Sequence, residues 1–249
     1  NSAFLKKAIN TISLNLEKQV SKGVISKKNQ LDTLSNIKIT TDMSDVKNAC
    51  LIIEAVSENK EIKKNVFSQL DSNCRPETIL ASNTSSISIT DIAESTNRPD
   101  KVIGMHFMNP VPIMKLVEIV NTSKTSMETK NTIIDIAKNM GKIPVECNDY
   151  PGFISNRVLM PMINEAVLCL EQGVAEKKAI DDIMTLGMAH PMGPLKLADL
   201  IGLDICLNIM HVLFEGFKDK KYKPCELLEN MVKEGTLGRK TGKGFYAYK

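Results

Sequence analysis

The feature that most constrains this chain is a change of rhythm near residue 150. Before it, short apolar runs of strand length alternate with amphipathic stretches. The runs fall at 37–40, 51–56, 78–81, 102–107, 116–120 and 143–147. Between them, apolar residues recur every three or four positions, as Ile62, Val66, Phe67 and Leu70 do, and as Ile133, Ile134, Ile136, Ala137 and Met140 do. That spacing predicts one buried helix face. A similar stripe through Phe4, Leu5, Ala8, Ile9, Ile12, Leu16 and Val20 predicts an opening helix, and short helices are expected at 44–48 and 89–93. Alternating strands and helices imply a mostly parallel, doubly wound sheet.

From Gly152 onward the strands stop. Helices are expected over 153–170 (with a kink at Pro161), 178–186, 194–217 and 224–232, and a strand only in the tail, 244–248. The fold class is therefore α/β, a doubly wound Rossmann-type sheet followed by an all-α domain, with the boundary at 149/150. The helical half is rich in apolar residues, and such a face can be buried between subunits as well as within one.

Composition removes several classes of function. The 249 residues carry a net charge of only +3, and the basic residues are scattered, so no nucleic-acid partner is expected. No apolar run approaches the roughly 20 residues of a membrane helix, so no membrane partner is expected either. The six cysteines form no Cys-x-x-Cys pair and only three histidines accompany them, so no metal site is expected. Cys50, Cys169 and Cys206 read as small core residues, which suits a reducing, cytoplasmic setting. No signal peptide is expected, because the opening lacks an apolar core and a small-residue cleavage site. Its first residue is Asn1 and not Met, as expected of a processed or incomplete chain.

A doubly wound sheet beside an all-α domain suggests a dinucleotide enzyme, but no Gly-x-Gly-x-x-Gly turn occurs. The tail Gly238-Arg239-Lys240-Thr241-Gly242-Lys243-Gly244 does not have phosphate-loop spacing, since Gly244 follows the lysine where Ser or Thr is required. It reads as a basic turn that touches an acidic ligand or faces solvent. Glu118 is more informative, because it interrupts the apolar strand Leu116-Val117-Glu118-Ile119-Val120. A carboxylate there is costly to bury unless paired. The titratable partner that topology offers is His106, from the preceding strand. A histidine oriented by a carboxylate suits general acid–base work. Ser85 lies in a loop beyond a strand, where ligands bind in such sheets; the simpler reading is a polar turn capping a helix. Asn156 reads as a helix cap or as a substrate hydrogen-bond donor. His190 reads as part of a rigid turn, and His211 as a helix-face residue.

Several motifs together resemble the L-3-hydroxyacyl-CoA dehydrogenase family, closest to the short bacterial 3-hydroxybutyryl-CoA enzymes. They are Ala81-Ser82-Asn83-Thr84-Ser85-Ser86, His106-Phe107-Met108-Asn109-Pro110, Lys115-Leu116-Val117-Glu118, Pro151-Gly152-Phe153, Asn156-Arg157, His190-Pro191-Met192-Gly193-Pro194, Gly202-Leu203-Asp204 and Lys240-Thr241-Gly242-Lys243-Gly244-Phe245-Tyr246. The resemblance implies interconversion of 3-hydroxyacyl-CoA and 3-oxoacyl-CoA with NAD, NADP being left open. It implies His106 as the base, Glu118 as its partner, and Ser85 and Asn156 as substrate hydrogen-bonders. It implies cofactor contacts at Glu58, Lys63, Ser85, Asn109 and Lys240, with Lys63 and Ser85 also near coenzyme A. Lys18 and Lys22 match, loosely, a place that meets coenzyme A phosphates. A homodimer through the helical half is implied too.

The family's first strand, glycine-rich turn, helix and second strand are not in this sequence. The expectation is a dehydrogenase cut short. The alternatives are a non-catalytic remnant that keeps the dimerising half and a coenzyme A contact, or a 2-hydroxy-acid or sugar-acid dehydrogenase, which would leave His106 and Glu118 unexplained.

Overall fold

A computed structural model describes residues 1–248. Its sheet has five strands: β1 (Leu51–Glu54), β2 (Ile79–Ser82), β3 (Val102–Phe107), β4 (Leu116–Asn121) and β5 (Ile143–Asn148), in spatial order β1-β2-β3-β4-β5. Three of the four pairings are parallel, and β3–β4 is antiparallel. The mostly parallel reading therefore holds, with one reversal. That reversal sets His106 directly opposite Glu118.

The helices of this half are α1 (Ser2–Ser21), α2 (Lys27–Ser35), α3 (Lys60–Asn73), α4 (Ile89–Ala93) and α5 (Met127–Asn139). Strand alternation divides the core in two. Val102 on β3 and Val120 on β4 pack with Phe67, Leu70, Ile89 and Ile92 from α3 and α4. Ile103, Met105, Val117 and Ile119 pack with Ile133 and Ala137 of α5 on the other face. His106 and Glu118 are in phase with Val102 and Val120, so they share the α3/α4 face. Between them lies Gly104, where an added Cβ would stand 2.6 Å from Val120 Cβ and 3.0 Å from Ile89 Cγ1.

The helical half comprises α6 (Ser155–Glu171), α7 (Lys177–Asp182), α8 (Pro194–Ile201), α9 (Leu203–Phe217) and α10 (Glu226–Lys233), around a core that includes Met160, Val167, Leu195, Leu213 and Phe245. Buried Asp199 accepts from the backbone N–H groups of Phe245 and Tyr246, and so fastens the C-terminal segment to α8.

Several expectations need correction. Residues 37–40 form no strand, because no ladder partner pairs with them among the described residues. α2 gave no signal, because its sequence KKNQLDTLS has little apolar periodicity. The single helix expected over 194–217 is two, bent by 98° at Gly202, whose φ of 106° lies outside any helix. The tail makes isolated bridges and not a strand. Cys50 is exposed ahead of edge strand β1, while Cys206 is buried as expected. The stripe on α1 is real as a pattern, but no residue of α1 is buried.

Candidate active site

The site begins with a cross-strand pair. Residues directly opposite on an antiparallel pair place their side chains side by side. Here His106 Nδ1 lies 2.7 Å from Glu118 Oε2. Both are buried, at 7 % and 3 % exposure. His106 Nε2 makes no hydrogen bond among the described residues. The Phe153 ring lies 5.9 Å from the imidazole, tilted by 58°. A left-handed pair, Gly152 (φ 74°) and Phe153 (φ 52°), turns the chain so that the ring arrives there.

The other Glu118 oxygen is held from α6. Oε1 accepts from the N–H groups of Ser155 (2.9 Å) and Ile154 (3.3 Å), and Oε2 also accepts from Ser155 Oγ at 2.8 Å. Burial works against ionising Glu118. The hydrogen bonds from His106 and from Ser155, with the proximity of His106, outweigh it and hold the carboxyl below its ordinary value.

A second carboxylate organises the loops beyond the ends of β1 and β2. Glu58 Oε1 accepts from Thr84 Oγ1 (2.6 Å), the Ser85 N–H (2.9 Å), the Ser86 N–H (3.0 Å) and Ser86 Oγ (2.9 Å). Burial pushes the Glu58 carboxyl up, but the Thr84 and Ser86 hydroxyls, the Lys63 charge and the Ser85 N–H together bring it below its ordinary value. Asn156 Nδ2, from the first turn of α6, donates to the Ser85 carbonyl at 2.7 Å. A chain of contacts thus joins Lys63, Glu58, Ser85 and Asn156, and Ser155 leads from there to Glu118 and His106. Beside it, a cleft of about 610 Å³ runs between this loop and α9, lined by Glu58, Asn59, Ser85, Ile205, Asn208 and Ile209 among others.

The candidates differ in how they meet this group. Lys63 is 1 % exposed, and its ammonium lies against Glu54 (2.7 Å), the Val56 carbonyl (3.3 Å) and Glu58 (3.4 Å). In this conformation it reaches the cleft through Glu58, and not directly as the resemblance implies, because three acceptors already surround its charge. Lys240 pairs with Asp204 at the start of α9, 2.6 Å from Oδ2, and makes no hydrogen bond to the other candidates. Its turn is neither free nor simply solvent-facing. Asn109 is exposed in the loop after β3, three residues beyond His106. Lys18 is exposed in the last turn of α1.

The residues missed from the sequence are Ser155, Glu54 and Asn83. Asn83 Oδ1 accepts from the Phe107 N–H at 2.9 Å and so ties the β2 loop to the end of β3. Glu54 had a signal of the same kind as Glu118, a carboxylate in an apolar strand. Asn83 stood in one of the resemblance motifs without a role of its own, and Ser155 had no signal.

Two family models cover nearly the whole chain. The 3-hydroxyacyl-CoA dehydrogenase NAD binding domain matches residues 1–150, and the 3-hydroxyacyl-CoA dehydrogenase C-terminal domain matches residues 152–248. The chain belongs to the 3-hydroxyacyl-CoA dehydrogenase family. A probable 3-hydroxybutyryl-CoA dehydrogenase of Bacillus subtilis is 54% identical over 233 residues, 94% of this chain and 81% of that one. A 3-hydroxybutyryl-CoA dehydrogenase of Clostridioides difficile is 52% identical over 98% of this chain and 87% of its own. The solved structure of an (S)-3-hydroxybutyryl-CoA dehydrogenase from Ralstonia eutropha matches with a TM-score of 0.98 and 43% identity, covering 100% of this chain and 88% of that one. The fold and the arrangement of the two halves are thus those of the 3-hydroxyacyl-CoA dehydrogenase family.

Proposed function

We propose that this protein interconverts 3-hydroxyacyl-CoA and 3-oxoacyl-CoA with NAD, and that 3-hydroxybutyryl-CoA and acetoacetyl-CoA are its substrate pair. The observation that carries this reading is the buried His106–Glu118 pair. It stands at the carboxyl end of β3, the same end of the sheet as the cleft at Glu58 and Ser85. Doubly wound sheets bind dinucleotides outside the carboxyl ends of their strands.

The residues present fit the reacting end of such a cofactor. Glu58 fixes three successive loop residues, Thr84 to Ser86, and Ser85 Oγ makes no hydrogen bond among the described residues. No glycine-rich phosphate turn is among them. Glu58, Ser85 and Asn109 are the residues assigned here to hold the nicotinamide end. When bound, NAD supplies the acceptor for the hydride that leaves C3 of the hydroxyacyl group.

The chain's own residues handle the proton. In oxidation, His106 Nε2 takes the hydroxyl proton as the C3–O bond becomes a carbonyl. In reduction, the imidazolium returns it to the developing alkoxide. Glu118 accepts from Nδ1, which fixes the tautomer with Nε2 facing outward and stabilises the imidazolium once formed. Ser85 and Asn156 direct dipoles at the oxygen where charge develops. Because they are already joined to each other, little reorganisation accompanies the step.

A homodimer through the helical half fits an apolar groove on that half. Met162, Ala166, Cys169, Ile180, Ile183 and Met184 line it, and Ile183 and Leu186 nearby are 59% and 85% exposed. An exposed apolar patch of this kind supports a contact with a second copy of the chain.

The test is NADH oxidation by the purified protein with acetoacetyl-CoA, beside the His106→Gln variant. Turnover in the wild type and its loss in the variant is the expected result. A His106→Gln protein as active as wild type would end this reading.

A further inference from the structure

Glu118 receives two side-chain donors on a single oxygen. Oε2 lies 2.7 Å from His106 Nδ1 and 2.8 Å from Ser155 Oγ. Ser155 also opens α6, so Glu118 stands at the N-terminal, positive end of a helix of 17 residues. The Ser155 backbone N–H is on Oε1 in any case. The hydroxyl is an addition that a capped helix does not need, and it falls on the oxygen the catalytic histidine uses.

We infer that Ser155 is a positioning residue whose hydroxyl competes with the His106 imidazole for Glu118 Oε2 and so sets how firmly Glu118 holds a proton on His106. The inference rests on the reaction read above. A carboxylate oxygen that accepts a second donor carries less charge for the first. Without the hydroxyl, Glu118 would hold the imidazolium more strongly. At a fixed pH more of His106 would then be protonated, which leaves more imidazolium for reduction and less neutral imidazole for oxidation. Ser155 belongs to the helical half and Glu118 to the sheet, so the contact also ties the base to the placing of α6.

The surroundings leave this control to few groups. Cys147 faces Glu118 from β5, but burial and the charges of Glu118 and Asp149 push its thiol up to about 12, so it is neutral. Asp149 is taken up by Ser88 Oγ and the N–H groups of Ile89 and Thr90 at the start of α4. Asp91 of α4 pairs with Lys60. Phe153 presents only its ring to His106. Among the described residues, Ser155 is therefore the neutral side-chain donor on the carboxylate that His106 meets.

Ser155→Thr and Ser155→Val separate the hydroxyl from the bulk it occupies. The full 249-residue chain has three histidines, so its imidazole resonances can be followed through a pH titration by NMR, with His106→Gln identifying the one that matters. Ser155→Thr is expected to keep the wild-type curve. Ser155→Val is expected to move the titration of the His106–Glu118 pair upward by about half a pH unit to one unit. The acidic limb of kcat/KM for oxidation should move the same way, with little change in KM. If valine is not tolerated, Ser155→Ala reads the same loss. A purely structural role would lower the melting temperature and leave both curves in place, which would overturn the inference. The NMR reading needs no turnover, so it stands or fails apart from the assignment of the reaction.

Discussion

Asn156 Nδ2 donates to the Ser85 carbonyl at 2.7 Å, which joins the first turn of α6 to the loop beyond β2. The two residues lie 71 positions apart and belong to different halves of the molecule. On the proposed reading, each half brings one polar group to the substrate's reacting oxygen. Asn156→Ala should therefore lower kcat for acetoacetyl-CoA by roughly 10–100-fold, somewhat less than loss of an oxyanion-hole donor because Ser85 remains. Steady-state kinetics check it, and an unchanged kcat would remove Asn156 from the site.

Glu118→Gln keeps the shape of the His106 contact and removes its charge. Pairing matters most when the imidazole is charged, so turnover should fall by about 10²-fold or more while NADH and acyl-CoA affinities stay close to wild type. Single-turnover kinetics with separate binding titrations distinguish the two effects.

Acid should weaken the fold through Glu58 and Glu118. Both carboxyls are held below the ordinary value of 4.5 in the folded chain. Between the folded and unfolded values the unfolded chain binds more protons, so stability rises with pH in that window. The contribution is fully present above about pH 4.5 to 5 and is lost as pH falls through the folded values. Urea unfolding at pH 6 and at pH 3.5 measures this, and Glu58→Gln should flatten part of the difference.

Gly104→Ala should destabilise the protein by about 1–3 kcal/mol, because the added methyl has no room between Val120 and Ile89 and the sheet must shift to admit it. A thermal melt is sufficient. A melting temperature equal to wild type would mean that the β3–β4 pair adjusts more freely than its packing indicates.

Ile183→Asp places charge in the apolar groove of the helical half, and Leu186→Asp places it on the exposed apolar surface beside the groove. If that groove is a dimer contact, the double variant should run as a monomer by light scattering while the wild type runs as a dimer. A wild-type monomer would refute the proposed homodimer.

Much of this architecture was written in local pattern. The five strands announced themselves as short apolar runs, and α3, α5 and α6 as apolar residues at helical spacing, because each pattern records what the segment buries. Glu118 stood out for the same reason, as a charge where burial demands a partner, and His106 followed as the titratable group one strand away. The identity of the family lay in short motifs. By contrast, α2 and the break at Gly202 left little pattern, since one buries almost nothing apolar and the other depends on a single backbone angle.

What no spacing could reveal was contact between residues far apart in sequence. Ser155 and Asn83 are ordinary polar residues in the sequence, and their partners are chosen by where α6 and the β2 loop come to rest. Lys63 lies among Glu54, Val56 and Glu58, partners that no local spacing in the sequence indicates. Local periodicity is set by each segment's own need to bury apolar surface, so it survives in the sequence. Hydrogen-bond partnership across the sheet and α6 is set by the packing of whole elements, and it exists only once they have packed.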